Sequence, residues 1–255
     1  MKRAIAGVAL AATLALAVAG TAAATRPFWV APDAAQAQAW LHDAADRRDP
    51  GAQASLARWS VRGNANARHA YAALLAHRAD VGSRQHLEQV LSDGAAAGDA
   101  SDATQLAELL ASASARTATT TDASRDDARI ARLLEQGNAG HVPAAARLLA
   151  LRTLDAAKGT PDVARAASLL RRAADAGDAP AMFLYANLLR AGQGVPRDDA
   201  RALALYERAG DADYAPAIQA LAIAWRYGEL GLQADPSQSR LMDHEAAEAL
   251  AHAAH

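Results

Sequence analysis

Cysteine is absent from all 255 residues of the chain. This absence excludes disulfide bonds, zinc sites built on thiolates and cysteine nucleophiles, and it excludes lipid attachment through an N-terminal cysteine. The stability of the fold must therefore come from packing and hydrogen bonds.

Aromatic residues are also scarce, at 4% of the chain, although 52% of the residues are hydrophobic. Alanine, the best helix former, supplies much of that hydrophobic fraction. Buried contacts must then arise where helices approach closely, and not from large side chains. The composition predicts a folded chain in which helices pack on helices, and it disfavours a β-sandwich.

The chain has no large excess of charge of either sign, since its formal net charge is −2. Its arginines stand among acidic residues and form no basic stripe. A protein that binds the phosphates of a nucleic acid needs such a stripe. We therefore expect no nucleic-acid partner.

The one long apolar run lies at the N-terminus. Met1-Lys2-Arg3 precedes the apolar residues 4–19, and the small residues 22–24 follow. This order is typical of a secretory signal peptide with its cleavage site. A retained membrane anchor is the alternative, but the run is shorter than the roughly 20 apolar residues that a bilayer requires.

We accordingly predict that residues 1–24 are a signal peptide, cleaved near Ala24 to leave a chain that starts around Thr25. Loss of Lys2 and Arg3 changes the net charge from −2 to −4. Because no second long apolar stretch follows, we expect no stable membrane insertion after cleavage. The protein would then be periplasmic or secreted.

An internal repeat of 36 residues organises the second half of the sequence. The pentapeptide at 125–129 recurs unchanged at 197–201, which is 72 residues later, and a related segment at 161–165 lies midway. A second marker, Pro-Ala, is spaced by 37 and then 36 residues, at Pro143, Pro180 and Pro216. This period accommodates two helices and two turns, the size of a helix-turn-helix repeat unit.

The best-formed unit spans 180–213. Each of its two helices carries one apolar stripe with steps of three and four residues. The stripes consist of Ala181, Leu184, Tyr185, Leu188 and Leu189, then Ala202, Leu205, Tyr206 and Ala209. Gly192 and Gly194 permit positive φ in the turn between them, Pro196 prevents the first helix from continuing, and Asp198 or Asp199 can cap the second.

This unit resembles the Sel1-like repeat, a relative of the tetratricopeptide repeat. The resemblance rests on the G-x-G-V-P-x-D loop at 192–198, the Arg-Ala pair at 201–202 and the Leu-Tyr pair at 205–206. It implies an all-α fold, an α-solenoid of antiparallel helix pairs, and a role as an adaptor between proteins. This unit departs from the family pattern at Ala186, where glycine is usual, at Leu189, where tyrosine is usual, and at residues 209–211, Ala-Gly-Asp, where the family tends to have Ala-Ala-Glu.

The resemblance weakens toward the N-terminus. Residues 125–255 are predicted to be Sel1-like repeats, and residues 25–110 a degenerate helical-repeat region. Residues 111–124, rich in Ala, Ser and Thr without an apolar period, are predicted to be a flexible loop or joint. The predicted helices are 33–48, 51–62, 65–79, 83–97, 101–113, 125–137, 142–156, 161–176, 180–191, 198–209, 215–227 and 237–252.

No set of residues indicates catalysis, a cofactor or a metal. His252 and His255 have a ligand-like spacing but stand at a chain end without a third ligand nearby in sequence. The acid pairs at 126–127 and 198–199 recur at predicted helix starts, which favours capping over acid–base chemistry. The glycines of the 192–198 loop lack the strand and the Gly-Lys-Ser/Thr ending of a phosphate-binding loop.

Aromatic residues are the better candidates for function, since Trp and Tyr dominate binding energy at protein interfaces. Tyr214, Trp225 and Tyr227 flank or end a predicted first helix and are candidates for partner binding, although core packing is the more common role for such residues. Phe28 and Trp29 follow the predicted cleavage site and could dock on the array or on a partner.

The leading hypothesis is an exported scaffold that binds one or more envelope proteins, as the resemblance implies. A cell-wall enzyme or a binder of peptidoglycan fragments is the first alternative, although the relatives that suggest it depend on paired cysteines. A self-associating structural subunit is the second, and the oligomeric state stays open.

Overall fold

The computed structural model describes residues 31–45, 48–78, 80–114, 122–155 and 160–253, and within these ranges it contains twelve helices and no strand. The helices are α1 (Ala34–Ala45), α2 (Pro50–Val61), α3 (Ala65–Ala76), α4 (Val81–Ala96), α5 (Ala100–Ser114), α6 (Asp122–Ala139), α7 (Pro143–Leu154), α8 (Val163–Asp175), α9 (Ala179–Ala191), α10 (Asp199–Gly210), α11 (Ala215–Tyr227) and α12 (Pro236–Ala253).

The prediction of an all-α fold is confirmed. Every predicted helix corresponds to an observed one, with both ends within three residues. Within the segment expected as a loop, 111–124, residues 111–114 belong to α5 and residues 122–124 belong to α6, and the residues between them lie outside the described ranges.

The chain divides into two compact units, one up to Leu106 and one from Ala107. In the first unit, α3 packs against α2 and α4, and α1 packs against both α2 and α3. Its core contains the large side chains of Trp40, Leu56, Tyr71 and Leu91, all at most 5% exposed. The N-terminal halves of α3 and α5 lie beside the end of α4, and several polar residues are located there.

In the second unit each helix from α6 to α12 packs against the next along the chain. The helices are joined by short turns, so neighbours run antiparallel. Alanines at the contacts are completely buried, which allows the close helix approach that the composition predicted. They are Ala145, Ala150, Ala166, Ala174, Ala181, Ala186, Ala202, Ala209, Ala217 and Ala222.

Side-chain caps begin most of the helices. Asp49, Asn64, Asp80, Asp162 and Asp178 each accept a hydrogen bond from a backbone N–H of the first helical turn. Such caps satisfy donors that the helix itself leaves unpaired. They also explain why the helix starts were predictable from sequence.

The predicted signal peptide and the pair Phe28-Trp29 lie outside the described residues. Among the helices in the described ranges, none combines the length and the apolar character needed to span a bilayer.

Candidate functional site

A cluster of four charged or titratable side chains joins α3 to the start of α5. Arg68 and His69 lie near the beginning of α3, Asp99 precedes α5, and Asp102 lies in its first turn. Asp99 is positioned as the helix cap, because its Oδ1 accepts hydrogen bonds from the backbone N–H groups of Ser101 (3.0 Å) and Asp102 (3.1 Å). Its other oxygen is therefore turned toward α3.

Arg68 bridges the two carboxylates. Its Nη2 donates to Asp99 Oδ2 at 2.8 Å, and its Nε donates to Asp102 Oδ2. His69 Nε2 lies 3.1 Å from Asp99 Oδ2 and 3.4 Å from Asp102 Oδ1. Within the ranges that the structure describes, this is the one group of three or more His, Asp or Glu side chains close enough to share a metal ion.

The cluster is buried on one side and open on the other. Asp102 is 0% exposed, whereas the side chain of His69 is 40% exposed. Asp102 Oδ1 is buried and has no hydrogen-bond partner among the residues that the structure describes. A buried carboxylate oxygen without a partner is costly in free energy, so its retention requires an explanation.

Burial and the neighbouring charges shift the pKa values of the two carboxylates in opposite directions. Burial raises the pKa of Asp102 above its ordinary value, although the hydrogen bond and charge of Arg68 act against this. Burial would also raise the pKa of Asp99, but the Asp102 N–H bond and the charges of His69 and Arg68 prevail and lower it. Asp99 thus favours its ionised form more strongly than Asp102 does.

Gly94 on α4 provides the space for Asp102. A Cβ at this position would overlap Asp102 Oδ2 and lie 2.5 Å from Arg68 Nε. No L side chain fits there without displacement of the ion pair.

The surrounding backbone repeats in the second unit with an offset of 79 residues. The tetrapeptide at 97–100 is identical to that at 176–179, and the two glycines have φ values of 92° and 94°. Arg147 pairs with Asp178 at 3.0 Å, as Arg68 pairs with Asp99, and the residues in each pair are 31 positions apart. This ion pair is therefore a feature of the repeat.

The same offset shows what is special about the first unit. The positions that correspond to Asp102 and Gly94 are Ala181 and Ala173, both at most 1% exposed. The position that corresponds to His69 is Leu148. Where the second unit has two alanines and a leucine, the first has a carboxylate, a glycine that makes room for it, and a histidine.

The three aromatic candidates do not form one surface. Tyr214, which precedes α11, is half-buried and stacks edge-on against Phe183 at 5.7 Å between ring centres. Trp225 lines a cleft, while Tyr227 is 69% exposed at the end of α11 and is not part of that cleft. Residues that are two positions apart in a helix differ by about 200° around its axis, so Trp225 and Tyr227 point to different sides of α11.

The cleft beside Trp225 lies among α10, α11 and α12 and has a volume of about 250 Å³. Its apolar lining is Ile218, Leu221, Trp225 and Met242. Its other side chains are three carboxylates, Glu207, Asp211 and Glu245. The cleft can therefore receive an apolar side chain of another molecule, provided that basic groups flank that side chain.

The turn residues of the 192–198 loop have distinct structural positions. Gly192 ends α9 with φ 64°, and Gly194 has φ 69°. A Cβ on Gly194 would lie 2.6 Å from the carbonyl oxygen of Val163, the first residue of α8. Pro196 is exposed in the turn, and Asp198 Oδ1 accepts from the Arg201 N–H at 2.9 Å as the cap of α10. The loop thus stacks on the start of the preceding unit's second helix.

One capping assignment is wrong. Asp126 and Asp127 do not begin a helix, because α6 starts one turn earlier at Asp122, and Asp127 instead pairs with Arg152 of α7. His252 is exposed on the last turn of α12, and His255 lies outside the described residues.

Inspection of the sequence missed the cluster at His69. The signal was present, because the aligned tetrapeptides at 97–100 and 176–179 extend by two residues to place Asp102 opposite Ala181. A charge at a position that is alanine in the better repeat is unusual. The approach of α3 to α5 could not be inferred from the faint repeat in this region.

Comparisons with known proteins agree with this architecture. The Sel1 repeat family matches residues 26–49, 143–178 and 179–214. The last two matches coincide with the pairs α7–α8 and α9–α10, which confirms the resemblance of this region to the family. The first match shows that a repeat segment is also recognisable around α1. No curated protein matches the sequence.

Several solved structures have similar folds, and two crystal structures serve as examples. A Sel1 repeat protein from Oxalobacter formigenes superposes with a TM-score of 0.72 at 18% identity, covering 89% of this chain and 91% of that one. A protective antigen of uropathogenic Escherichia coli strains that displays an SLR fold gives 0.63 at 16%, covering 83% of this chain and 46% of the antigen. The chain thus spans less than half of that antigen, and at these identities the likeness shows the fold alone.

Proposed function

We propose that this chain, a helical-repeat scaffold of Sel1 repeats, binds a protein partner in the bacterial cell envelope after export. The observation that carries the proposal is the cleft beside Trp225, with its apolar lining and three carboxylates. Sel1 repeats are typically scaffolds for contacts between proteins, which supports a protein partner.

The chemistry of the cleft specifies the partner segment. Ile218 and Leu221 form a buried apolar floor, and Trp225 is only partly buried beside them. A partly exposed tryptophan next to an apolar floor is typical of interface positions where a few residues dominate affinity. The cleft therefore suits one aliphatic or aromatic side chain of the partner.

Charge adds specificity. Glu207, Asp211 and Glu245 contribute negative charge to the same cleft. Opposite charges across an interface raise the association rate and exclude acidic competitors. We expect the partner segment to place lysine or arginine next to its apolar side chain.

Export rests on the N-terminal residues alone. The basic start, apolar run and small residues at 22–24 support a secretory signal peptide, and residues from about Thr25 onward would act in the periplasm or outside the cell.

The test begins with crosslinking of the purified mature chain in an envelope extract, followed by quantitative binding of the captured protein. We expect Trp225→Ala to weaken binding by at least about tenfold, because truncation of an interface tryptophan commonly costs about 2 kcal/mol or more. The double charge reversal Glu207→Lys with Glu245→Lys should slow association. Gly210→Leu should block the cleft, because a Cβ at Gly210 points within 3.4 Å of Ile218 Cγ1.

Two matched variants make the result specific. Glu108→Lys reverses an exposed acid on α5 and should leave binding unchanged. Tyr227→Ala removes an exposed aromatic outside the cleft and should have a smaller effect than Trp225→Ala. Binding that depends on Tyr227 but not on Trp225, with helicity retained in both variants, would place the interface elsewhere on α11.

A further inference from the structure

We propose that His69, Asp99 and Asp102 form a binding site for a divalent transition-metal ion of the zinc type. The site lies in the first unit and is independent of the cleft beside Trp225. The proposal starts from the buried oxygen of Asp102, for which the described part of the chain provides no hydrogen-bond partner.

The three ligand atoms lie within 4.8 Å of one another, which is close to the spacing of a coordination face. His69 Nε2 lies 3.1 Å from Asp99 Oδ2 and 3.4 Å from Asp102 Oδ1. Ligands bonded to zinc at about 2.0–2.2 Å in a tetrahedron are separated by about 3.3–3.6 Å. One imidazole and two carboxylates form a ligand set that zinc and similar ions accept, with one position left for water or another ligand.

Asp102 Oδ1 is the oxygen that lacks a partner. It is buried, it points to the same space as His69 Nε2, and no hydrogen bond in the described structure satisfies it. A cation placed between these atoms would satisfy it directly. This separates the site from an ordinary exposed acidic cluster, whose oxygens are solvated by water.

Arg68 holds the carboxylates in place without filling the site. It donates to Oδ2 of both Asp99 and Asp102, while Oδ1 of Asp102 stays available. Hydrogen bonds from outside the coordination sphere commonly orient carboxylate ligands in this way. Two carboxylates and one guanidinium leave a charge of −1 when His69 is neutral, which favours a cation.

The comparison between the units shows that the site results from different residues at repeat positions, and that it does not arise from the repeat itself. The second unit keeps the pair Arg147–Asp178 but has alanine where Asp102 stands and leucine where His69 stands. The added carboxylate fits only because Gly94 has no side chain. The partly exposed ring of His69 provides an entry route from solvent.

The experiment titrates Zn²⁺ into the full mature chain, prepared without a polyhistidine tag, by calorimetry near neutral pH. We expect one zinc ion per chain at this site. His69→Gln and Asp102→Asn should each weaken binding by at least about tenfold. Loss of only a hydrogen-bond partner of a metal ligand has an effect of that size, so loss of the ligand itself should have at least the same effect. Co²⁺ should give visible absorption bands that His69→Gln removes.

Two controls test whether histidines outside the proposed site contribute to zinc binding. His77→Gln changes an exposed histidine at the end of the same helix, α3, and should leave the affinity unchanged. The pair His252→Gln and His255→Gln removes the ligand-like spacing at the C-terminus and should also leave it unchanged.

Three results would overturn the proposal. They are the absence of zinc binding in the mature chain, binding that survives His69→Gln, and binding that is lost with the two C-terminal histidines. In each case a protonated His69 that bridges the two aspartates would account for the cluster instead. If circular dichroism shows that Asp102→Asn does not fold, the partly exposed His69→Gln variant decides the question alone.

Discussion

At the residue scale, the two units differ in their side chains at two buried positions of the repeat. Ala181 and Ala173 in the second unit correspond to Asp102 and Gly94 in the first, and all four are buried. A buried pair of Arg68 and Asp102 is not a strong source of stability, because desolvation offsets much of the attraction. Its presence is better explained by the chemistry that the first unit gains.

Gly94→Ala should destabilise the first unit by about 1–3 kcal/mol, because the new Cβ would overlap Asp102 Oδ2 and crowd Arg68. Urea unfolding followed by circular dichroism measures the effect. Gly210→Ala is the matched control, since it also lies in a helix but its Cβ would meet only ordinary contacts of 3.4 Å or more. We expect that variant to be unchanged or more stable by up to about 1 kcal/mol. Equal destabilisation of both variants would contradict the role assigned to Gly94.

At the scale of the element, the repeat unit is defined by its turns and caps as much as by its helices. The 192–198 loop ends α9, bends back and caps α10 within seven residues. Its second glycine touches α8 of the preceding unit. The loop therefore determines how neighbouring helix pairs stack as well as how one pair closes.

Gly194→Ala should be more destabilising than Gly192→Ala, although both glycines have positive φ. Alanine at Gly192 incurs mainly the left-handed backbone strain of about 1–2 kcal/mol, since its Cβ is 3.5 Å from the nearest atom. Alanine at Gly194 adds a contact of 2.6 Å with the backbone oxygen of Val163. Urea midpoints of the two variants provide the comparison, and equal midpoints would show that the contact with α8 relaxes without cost.

At the scale of the whole molecule, two units with different chemistry share one chain. The second consists of regular repeat pairs with an acidic, apolar-lined cleft, and the first has the His69 cluster where the repeat would have alanine and leucine. A chain of low net charge without a basic stripe suits contacts with proteins better than contacts with nucleic acid.

Export predicts a defined mass. Intact-mass spectrometry of the protein from an envelope fraction should show a chain that lacks residues 1–24 and starts around Thr25. Replacement of Ala24 by leucine removes the small residue at the cleavage site and should retain the precursor. A native envelope protein that still contains Met1 through Ala24 would show that the segment is a retained anchor.

The helices and the repeat follow from local features of the sequence. Apolar stripes, capping aspartates and the glycines of the turns are local features, so the twelve helices and the 36-residue period could be predicted from short segments. One boundary was wrong inside the expected loop, where α6 begins at Asp122, three residues before its predicted start.

The contacts between side chains of different helices depend on the packing of the folded chain. Tyr214, Trp225 and Tyr227 looked equivalent in sequence, yet packing places one against Phe183, one in the cleft and one in solvent. The His69 cluster joins residues about 30 positions apart, and its burial depends on a glycine in a third helix. Local periodicity specifies which face of a helix is buried, but contacts between helices depend on how closely their backbones approach, which is set by all the residues at the interface.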